Sequence, residues 1–278
     1  MTTIASGPVG IDRDTLLCMS LSARPSNFGT RFHNHLYAQL GLNYVYKAFT
    51  TDDLAAAVAG IRALGIRGCG VSMPYKTEVM AQLDEIDPAA TAIGAVNTIV
   101  NTDHVLAGYN TDYQAVCDLL AQHQVPNDVE VVLLGAGGMA KAVGQALRSH
   151  GFDRGTVVAR NPETGRSLAA AIGFGWQPAT TDLAPVVLVN ATPVGMAGGP
   201  AANDLPAPAE LLNSVRTVLD VVAVPVETPL VVRSRAAGIE VIDGGEVTAL
   251  QAIAQFELYT GIRPTPEQAA LAADFARQ

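Results

Sequence analysis

The chain has 278 residues, 49% of them apolar and 15% charged, with a formal net charge of −9; that length leaves room for two domains of ordinary size. No block of basic residues offers a surface to nucleic acid or an anionic membrane, which argues against both as partners. No apolar stretch approaches bilayer-spanning length and the start lacks a basic-then-apolar signal pattern, so a soluble, cytoplasmic protein is expected.

The first ten residues read as disordered or extended. An apolar run over 15–20 is followed by helical spacing over 30–40 that stops at Gly41, and residues 44–49 look like a strand. Asp52 opens an Ala-rich helix to Leu64, closed by Gly65. Residues 68–73 form the next strand, which empties into Pro74-Tyr75-Lys76. Runs over 96–100 and 105–108 flank the polar turn Asn101-Thr102-Asp103-His104, a hairpin pattern. Thr111 starts a helix to about Gln124, and Pro126-Asn127-Asp128 make the best internal boundary. Later strands are expected over 131–134, 156–159, 186–190, 217–222 and 239–242, with a Pro- and Ala-rich surface loop over 200–208. Two helices, over 247–260 and 266–277, close the chain and could pack back on the first domain. The alternation of strand-like and helix-like runs gives an α/β fold. Cys18, Cys69 and Cys117 lack metal-ligand spacing and read as small, reduced core residues.

Gly135-Ala136-Gly137-Gly138 lies between an apolar run and a helical pattern, with Ala140 at the third glycine position. A strand, a Gly-rich turn, a helix and a second strand make the unit that holds a dinucleotide. Gly135 permits the tight turn, Gly137 lets backbone approach a pyrophosphate, and the helix presents unpaired N–H groups to it. The plainer alternative is a Gly-rich turn of any α/β protein. At the tip of the second strand stands Arg160, where an NAD-binding unit would carry a carboxylate; an arginine suits a 2′-phosphate, so NADP is favoured over NAD. Asn161 and Arg166 could add donors, and Glu163 would repel. A solvated strand-end arginine is the competing reading.

Lys76 follows a strand's carboxyl end, where open α/β sheets bind ligands, and partial burial there would ease proton exchange; an arbitrary lysine more often snorkels at the surface. In Asn110-Thr111-Asp112, either Thr111 or Asp112 could cap a helix, and a carboxylate there is stabilised by the helix N-terminus. Asn97, polar within an apolar run, either ties loops together or binds ligand. The segment Asn190-Ala191-Thr192-Pro193-Val194-Gly195-Met196 lines the nicotinamide end or is an ordinary turn. Gln251 and Gln255, four apart, share one helix face, and either could be solvated. His33 and His35 lack a metal partner pattern and read as surface or helix-packing residues; no metal site is expected. Met73, Met80 and Met196 read as core fillers.

Val71-Ser72-Met73-Pro74-Tyr75-Lys76, Gly94-Ala95-Val96-Asn97-Thr98, Tyr109-Asn110-Thr111-Asp112, Gly135-Ala136-Gly137-Gly138, Asn190-Ala191-Thr192 and the Gln251 helix occur in this order in shikimate dehydrogenases. The chain resembles that family from about Leu16 onward, and most nearly its shikimate dehydrogenase-like branch. The resemblance implies an α/β substrate domain over 12–115, completed by helices in 246–278, and a Rossmann-type doubly wound NADP-binding domain over 116–245, with the site in an interdomain cleft. It implies NADP-dependent interconversion of shikimate, or a close cyclic hydroxy acid such as quinate, and its 3-dehydro form. Lys76 and Asp112 would be the catalytic pair, and Ser26, Asn27, Ser72, Asn97 and Gln251 would bind substrate. Gly135, Ala136, Gly137, Gly138, Met139, Ala140, Arg160, Asn161, Thr192, Pro193, Met196, Val222 and Gly245 would hold the cofactor. A monomer or homodimer is expected.

The sequence also departs from the family. Asn27 and Gly29 stand where the family has two carboxylate-binding serines, Gly70 where it has an asparagine, and Ala223 where it has a cleft tyrosine. Each lost hydrogen bond is worth about 0.5–1.5 kcal/mol, so shikimate is expected to bind more weakly. Ser22, Arg24, Ser26 and Asn27 could hold a carboxylate instead. A non-catalytic NADP-binding sensor on the same fold is the alternative.

Overall fold

The computed structural model describes residues 10–278, and the expectation placed on residues 1–9 lies outside them. The chain forms two compact units: the first runs to Thr111 and resumes over Gln251–Gln278, and the second is Asp112–Leu250.

The first unit opens with β1 (Leu16–Leu21), α1 (Phe28–Gln39), β2 (Tyr44–Phe49), α2 (Leu54–Ala63) and β3 (Gly68–Val71). Then come β4 (Glu85–Ile86), α3 (Pro88–Ile93), β5 (Thr98–Thr102) and β6 (Val105–Tyr109). The six strands lie in the order β2-β1-β3-β5-β6-β4. β5 alone runs against its neighbours, as its pairings with β3 and β6 are antiparallel and the other pairings are parallel. The hairpin between β5 and β6 turns on Asp103 and His104, both with positive φ (50° and 69°). That is the conformation a two-residue turn needs to match strand twist. Asp53 rather than Asp52 caps α2, its side chain accepting from Ala56 N. The short β4 and α3 escape a reading of periodicity, which needs longer segments; α3 is set locally by the Asp87 cap and Pro88 in its first turn. Met19, Leu21, Val58, Ile61, Cys69, Val71, Ile99 and Leu106 form the core on one face of this sheet.

The second unit contains α4 (Thr111–Gln122), from Asp112 onward, then β7 (Val131–Leu134), α5 (Gly138–His150), β8 (Gly155–Val158), α6 (Pro162–Ile172) and β9 (Gly175–Gln177). It continues through β10 (Val187–Asn190), β11 (Thr217–Asp220), α7 (Pro229–Ala236) and β12 (Glu240–Ile242). All its strands are parallel, in the order β12-β11-β10-β7-β8-β9. This is the Rossmann order, and the topological switch point lies between β7 and β10. The strands are buried on both faces. Val131 and Leu133 pack with Val143, Leu147 and Phe152 on one side, and Val132 and Leu134 pack with Leu188, Leu211 and Leu230 on the other. Three elements here were not expected from sequence: α6, β9 and α7. α6 carries a legible start, Asn161 capping and Pro162 in the first turn. The apolar pattern of α7 is diluted by Arg233, Ser234 and Arg235. Residues 200–208 form a loop, as expected.

α8 (Gly244–Thr260) begins in the second unit and ends in the first, where α9 (Pro266–Arg277) follows. Thr265 and Gln268 form a capping box at the start of α9. Within the first unit, Arg67 reaches the carboxyl end of α8, donating to Tyr259 O at 2.9 Å. Gly68 of β3 packs directly beneath the Tyr259 ring; a Cβ built there would lie 2.2 Å from it. In the second unit, His123, in the turn just past α4, meets Glu240 Oε1 at 3.0 Å and Glu246 Oε2 at 3.1 Å. Burial alone would lower its pKa; the two carboxylates outweigh that and hold it above the ordinary histidine value. The cysteines are all free: Cys18 and Cys69 are buried on β1 and β3, and Cys117 is half-buried on α4. No helix among the described residues is long and apolar enough to cross a membrane.

Two outcomes follow from these contacts. Gly68→Ala should lower the free energy of urea unfolding by about 1–3 kcal/mol, the cost of overpacking. His123→Gln should lose stability mainly at low pH. A raised histidine pKa gives stability that is whole below its unfolded value of about 6.5 and is lost as pH rises through the folded value. The Tm difference between wild type and His123→Gln should therefore shrink from about pH 6 toward about pH 9; a difference that grows with pH would contradict the pairing.

Candidate functional site

In the first unit, the chain leaves β3 and is strapped down at three points. Ser72 N donates to Leu21 O at 2.9 Å, Tyr75 Oη donates to Thr51 O at 2.6 Å, and Val96 N donates to Lys76 O at 2.8 Å. The last bond sets Lys76, half-buried, beside the segment that carries Asn97. Ser72 is exposed, and Met73 is 63% exposed, so it is not the core filler expected of it. The cause is the strap, which puts the main chain of residues 72–76, not the methionine, against the core.

Asn97 is 1% exposed. Its Oδ1 accepts from Thr111 N at 2.8 Å, Thr98 Oγ1 at 2.9 Å and Thr111 Oγ1 at 3.2 Å. Its Nδ2 is buried with no hydrogen-bond partner among the described residues. Of the two readings the sequence left open, the oxygen carries the first by tying β5 to the start of α4, while the nitrogen is left without a partner among the described residues. A buried donor without a partner costs about 1–3 kcal/mol, a deficit that an incoming acceptor would relieve. Asn110 Nδ2 donates to Ala95 O at 2.9 Å, so it braces the same loop. Asp112, in the first turn of α4, is buried.

The other expected substrate residues are more open. Ser26 and Asn27 are exposed, and Asn27 starts α1 without a side-chain cap bond. Ser22 is buried and accepts from Arg24 N at 3.2 Å, while the Arg24 side chain is exposed. On α8, Gln251 is half-buried and Gln255 is buried. Gln255 Nε2 donates to Thr98 Oγ1 at 3.0 Å and Asn97 O at 3.3 Å. Of the two histidines read as surface or helix-packing residues, His33 is fully buried and stacked on Tyr46 with ring centroids 4.4 Å apart. Burial pushes its pKa down to about 3, so it is neutral at pH 7. His35 stacks on Phe275. Among the described residues no group of three metal-ligating side chains gathers.

In the second unit, the glycines after β7 divide by what they face. Gly135 has φ +108°, and a Cβ there would lie 2.9 Å from Ala191 O, so the fold itself demands glycine. At Gly137 and Gly138 a Cβ would meet nothing within 4 Å. Gly137 gives α5 no side-chain cap, so no cap side chain takes up the helix's first N–H groups. Such a cradle suits a pyrophosphate. Met139 is half-buried and Ala140 is fully buried. Arg160 is exposed just past β8 and makes no hydrogen bond or ion pair among the described residues, so its guanidinium fits an anionic group. Asn161 Oδ1 is taken by the α6 cap, accepting from Glu163 N and Thr164 N. Arg166 lies over the Trp176 ring, 4.7 Å from its centroid.

The strand ends β10 and β11 share a buried network. Thr192 Oγ1 donates to Asn190 Oδ1 at 2.6 Å, Asn190 Nδ2 donates to Asp220 Oδ1 at 3.0 Å, and Thr228 Oγ1 donates to Asp220 Oδ2 at 2.6 Å. Burial raises the Asp220 pKa, and bonds from Thr228, Val222 N and Asn190 oppose the rise. The network fixes the turn carrying Thr192, Pro193 and Met196; Pro193 is exposed and Met196 half-buried, so Met196 is no core filler either. Val222 is buried, and its carbonyl oxygen would lie 2.1 Å from a Cβ at Gly244, next to Gly245, whose N donates to Asp243 Oδ1. Sequence reasoning passed over Asp220, Thr228 and the depth of Gln255. A lone carboxylate ending the apolar run Thr217-Val218-Leu219-Asp220 was the available signal for the first.

The family model described as the shikimate dehydrogenase substrate binding domain matches residues 27–99. A shikimate dehydrogenase-like protein of Haemophilus influenzae is 50% identical over 267 residues, covering 96% of this chain and 98% of that one. A shikimate dehydrogenase (NADP(+)) of Moorella thermoacetica is 38% identical over 245 residues, 82% of either chain. The structure of shikimate 5-dehydrogenase from Thermus thermophilus in complex with NADP(H) and shikimate matches with a TM-score of 0.85 at 31% identity, covering 94% of this chain and 100% of that one. With likeness of this degree along almost its whole length, the chain belongs to the shikimate dehydrogenase family.

Proposed function

We propose that the protein is an NADP-dependent oxidoreductase that interconverts shikimate, or a close cyclic hydroxy acid such as quinate, and its 3-dehydro form. The observation that carries this reading is the Lys76 strap, which sets a lysine beside a buried amide, Asn97, whose nitrogen lacks a partner. A ring hydroxyl can accept from that nitrogen, and an amine nearby can exchange a proton with a reacting oxygen. The open cradle at Gly137 and Gly138 and the unpaired Arg160 support NADP; so does the cofactor named for the Moorella and Thermus relatives.

Bound NADP would supply the hydride chemistry, and the residues of this chain bind, orient and move the proton. Lys76 Nζ takes the hydroxyl proton in the oxidative direction and returns it in the reductive one, and Asp112 orients that amine and a ring hydroxyl. Ser72, Asn97 and Gln251 meet ring hydroxyls. Ser26 and Asn27, with Ser22 and Arg24, take the carboxylate. Gly135 to Ala140 would hold the pyrophosphate, Arg160 and Asn161 the ribose end, and Thr192, Pro193 and Met196 the nicotinamide end, with Val222 and Gly245 also lining the cofactor site. The altered positions Asn27, Gly29, Gly70 and Ala223 favour a second reading, a non-catalytic NADP-binding sensor.

Turnover decides between them. With NADP and a panel of shikimate, quinate and related cyclic hydroxy acids, followed by NADPH absorbance, wild type should be active. Lys76→Ala should lose about 10²–10⁴-fold in kcat, the usual contribution of an acid–base group, while still binding NADP. Cofactor binding without turnover on any of the panel would leave only the sensor. Arg160→Asp should weaken NADP about 10- to 150-fold, the value of a charge-assisted bond, and spare NAD; unchanged NADP affinity in a titration would remove that arginine from the cofactor site.

A further inference from the structure

We infer that Gln255 is a positioning residue for the reaction proposed above: it fixes the Asn97 amide so that Nδ2 faces the substrate only as a donor. The inference rests on that reading for its ligand, and on the first unit alone for its geometry. Gln255 is 5% exposed, and its amide faces a main-chain carbonyl, Asn97 O, and a hydroxyl, Thr98 Oγ1. A carbonyl can only accept, so the amide nitrogen must face it. Thr98 Oγ1 then receives a hydrogen from Gln255 and turns its own toward Asn97 Oδ1 at 2.9 Å. Thr111 N gives a second donor to that oxygen at 2.8 Å. Turning the Asn97 amide over would set its NH2 against both donors. The relay therefore leaves one orientation, with Nδ2 presented as a donor and nothing among the described residues to receive it. A substrate group meeting it must be an acceptor, such as a hydroxyl or carbonyl oxygen.

A second feature makes room for the relay. Gly70 lies beneath the Gln255 amide, and a Cβ there would stand 3.3 Å from Gln255 Nε2 and 3.1 Å from Tyr46 Oη. A side chain at position 70 and the Gln255 amide compete for one space. Absence of a side chain at Gly70 thus goes with the buried glutamine, and Gly70→Ala presses on the relay without touching Asn97.

The test uses the full chain with shikimate and NADP. In Gln255→Met the KM for shikimate should rise about tenfold, the loss of roughly one oriented hydrogen bond, with kcat held within about twofold. Gly70→Ala should move KM the same way by less. Gln255→Glu gives a readout that packing alone would not move. His33 and Tyr46, the titratable groups around the Gln255 amide, are both kept neutral by burial, so a carboxyl there has a raised pKa, and once protonated it can donate to Thr98 Oγ1 again. Its KM, taken as a ratio to wild type at each pH, should therefore fall toward unity between about pH 9 and about pH 6. KM ratios near unity in both Gln255 variants, or a pH-independent ratio in Gln255→Glu, would overturn the inference. If wild type does not turn over shikimate, the proposed activity fails on that substrate and Gln255 is judged separately. The Asn97 side-chain amide is then followed in ¹⁵N spectra, assigned by its loss in Asn97→Asp. Faster hydrogen exchange in Gln255→Met supports the relay, and unchanged exchange overturns it.

Discussion

Asn97 Oδ1 receives three hydrogen bonds in a place sealed from water. Low local dielectric makes such bonds strong and makes any unfilled one costly. Strand β5 and the turn into α4 close on that oxygen, and Gln255 of α8 bonds the adjoining Asn97 O and Thr98 Oγ1, so the loop edge of the first unit has little freedom to rearrange. The same constraint explains the orphan nitrogen. A protein that only needed to tie these elements together could have used a residue with no donor left over. Under the function proposed above, that leftover donor is the group offered to substrate.

The second unit solves a different problem. At its switch point the glycines after β7 differ in what they face. Gly135 and Gly244 are there because neighbouring carbonyls leave no space for a Cβ, so they would be glycine in any protein folded this way. Gly137 and Gly138 face nothing, and packing gives no reason for them. That contrast is what the proposed cofactor reading would use, since open space at these two positions leaves room for a phosphate. Beside it, the Asp220 network turns a dry carboxylate into a hub for the β10 and β11 ends, satisfied by a cap hydroxyl, an amide and a main-chain N–H.

Much of this was legible before any coordinates. Parallel strands buried on both faces write themselves as continuous apolar runs, so β7, β8, β10 and β11 stand out in the sequence. The Gly-rich turn and the strand-end Arg160 are equally visible. What was hidden depended on tertiary partners. Gln251 and Gln255 share a helix face in the sequence, yet only contact with Asn97 and Thr98 drives one of them deeper. Asn97 could be read as brace or ligand group because the answer lies in which of its two amide atoms finds a partner. Met73 resembled core because it follows an apolar strand, and only the strap at Ser72 and Tyr75 turns it outward. The short β4, α3 and β9 carry too few residues for a period to show.

The buried thiols carry a practical corollary. Desolvation pushes the Cys18 pKa up to about 12 and raises those of Cys69 and Cys117 as well, while the thiolate is the form that reacts. The native sulfur atoms are therefore poor nucleophiles at neutral pH. A cysteine introduced at an exposed position could be alkylated selectively with a fluorophore or spin label, with the wild-type background left in place for distance measurements between the two units.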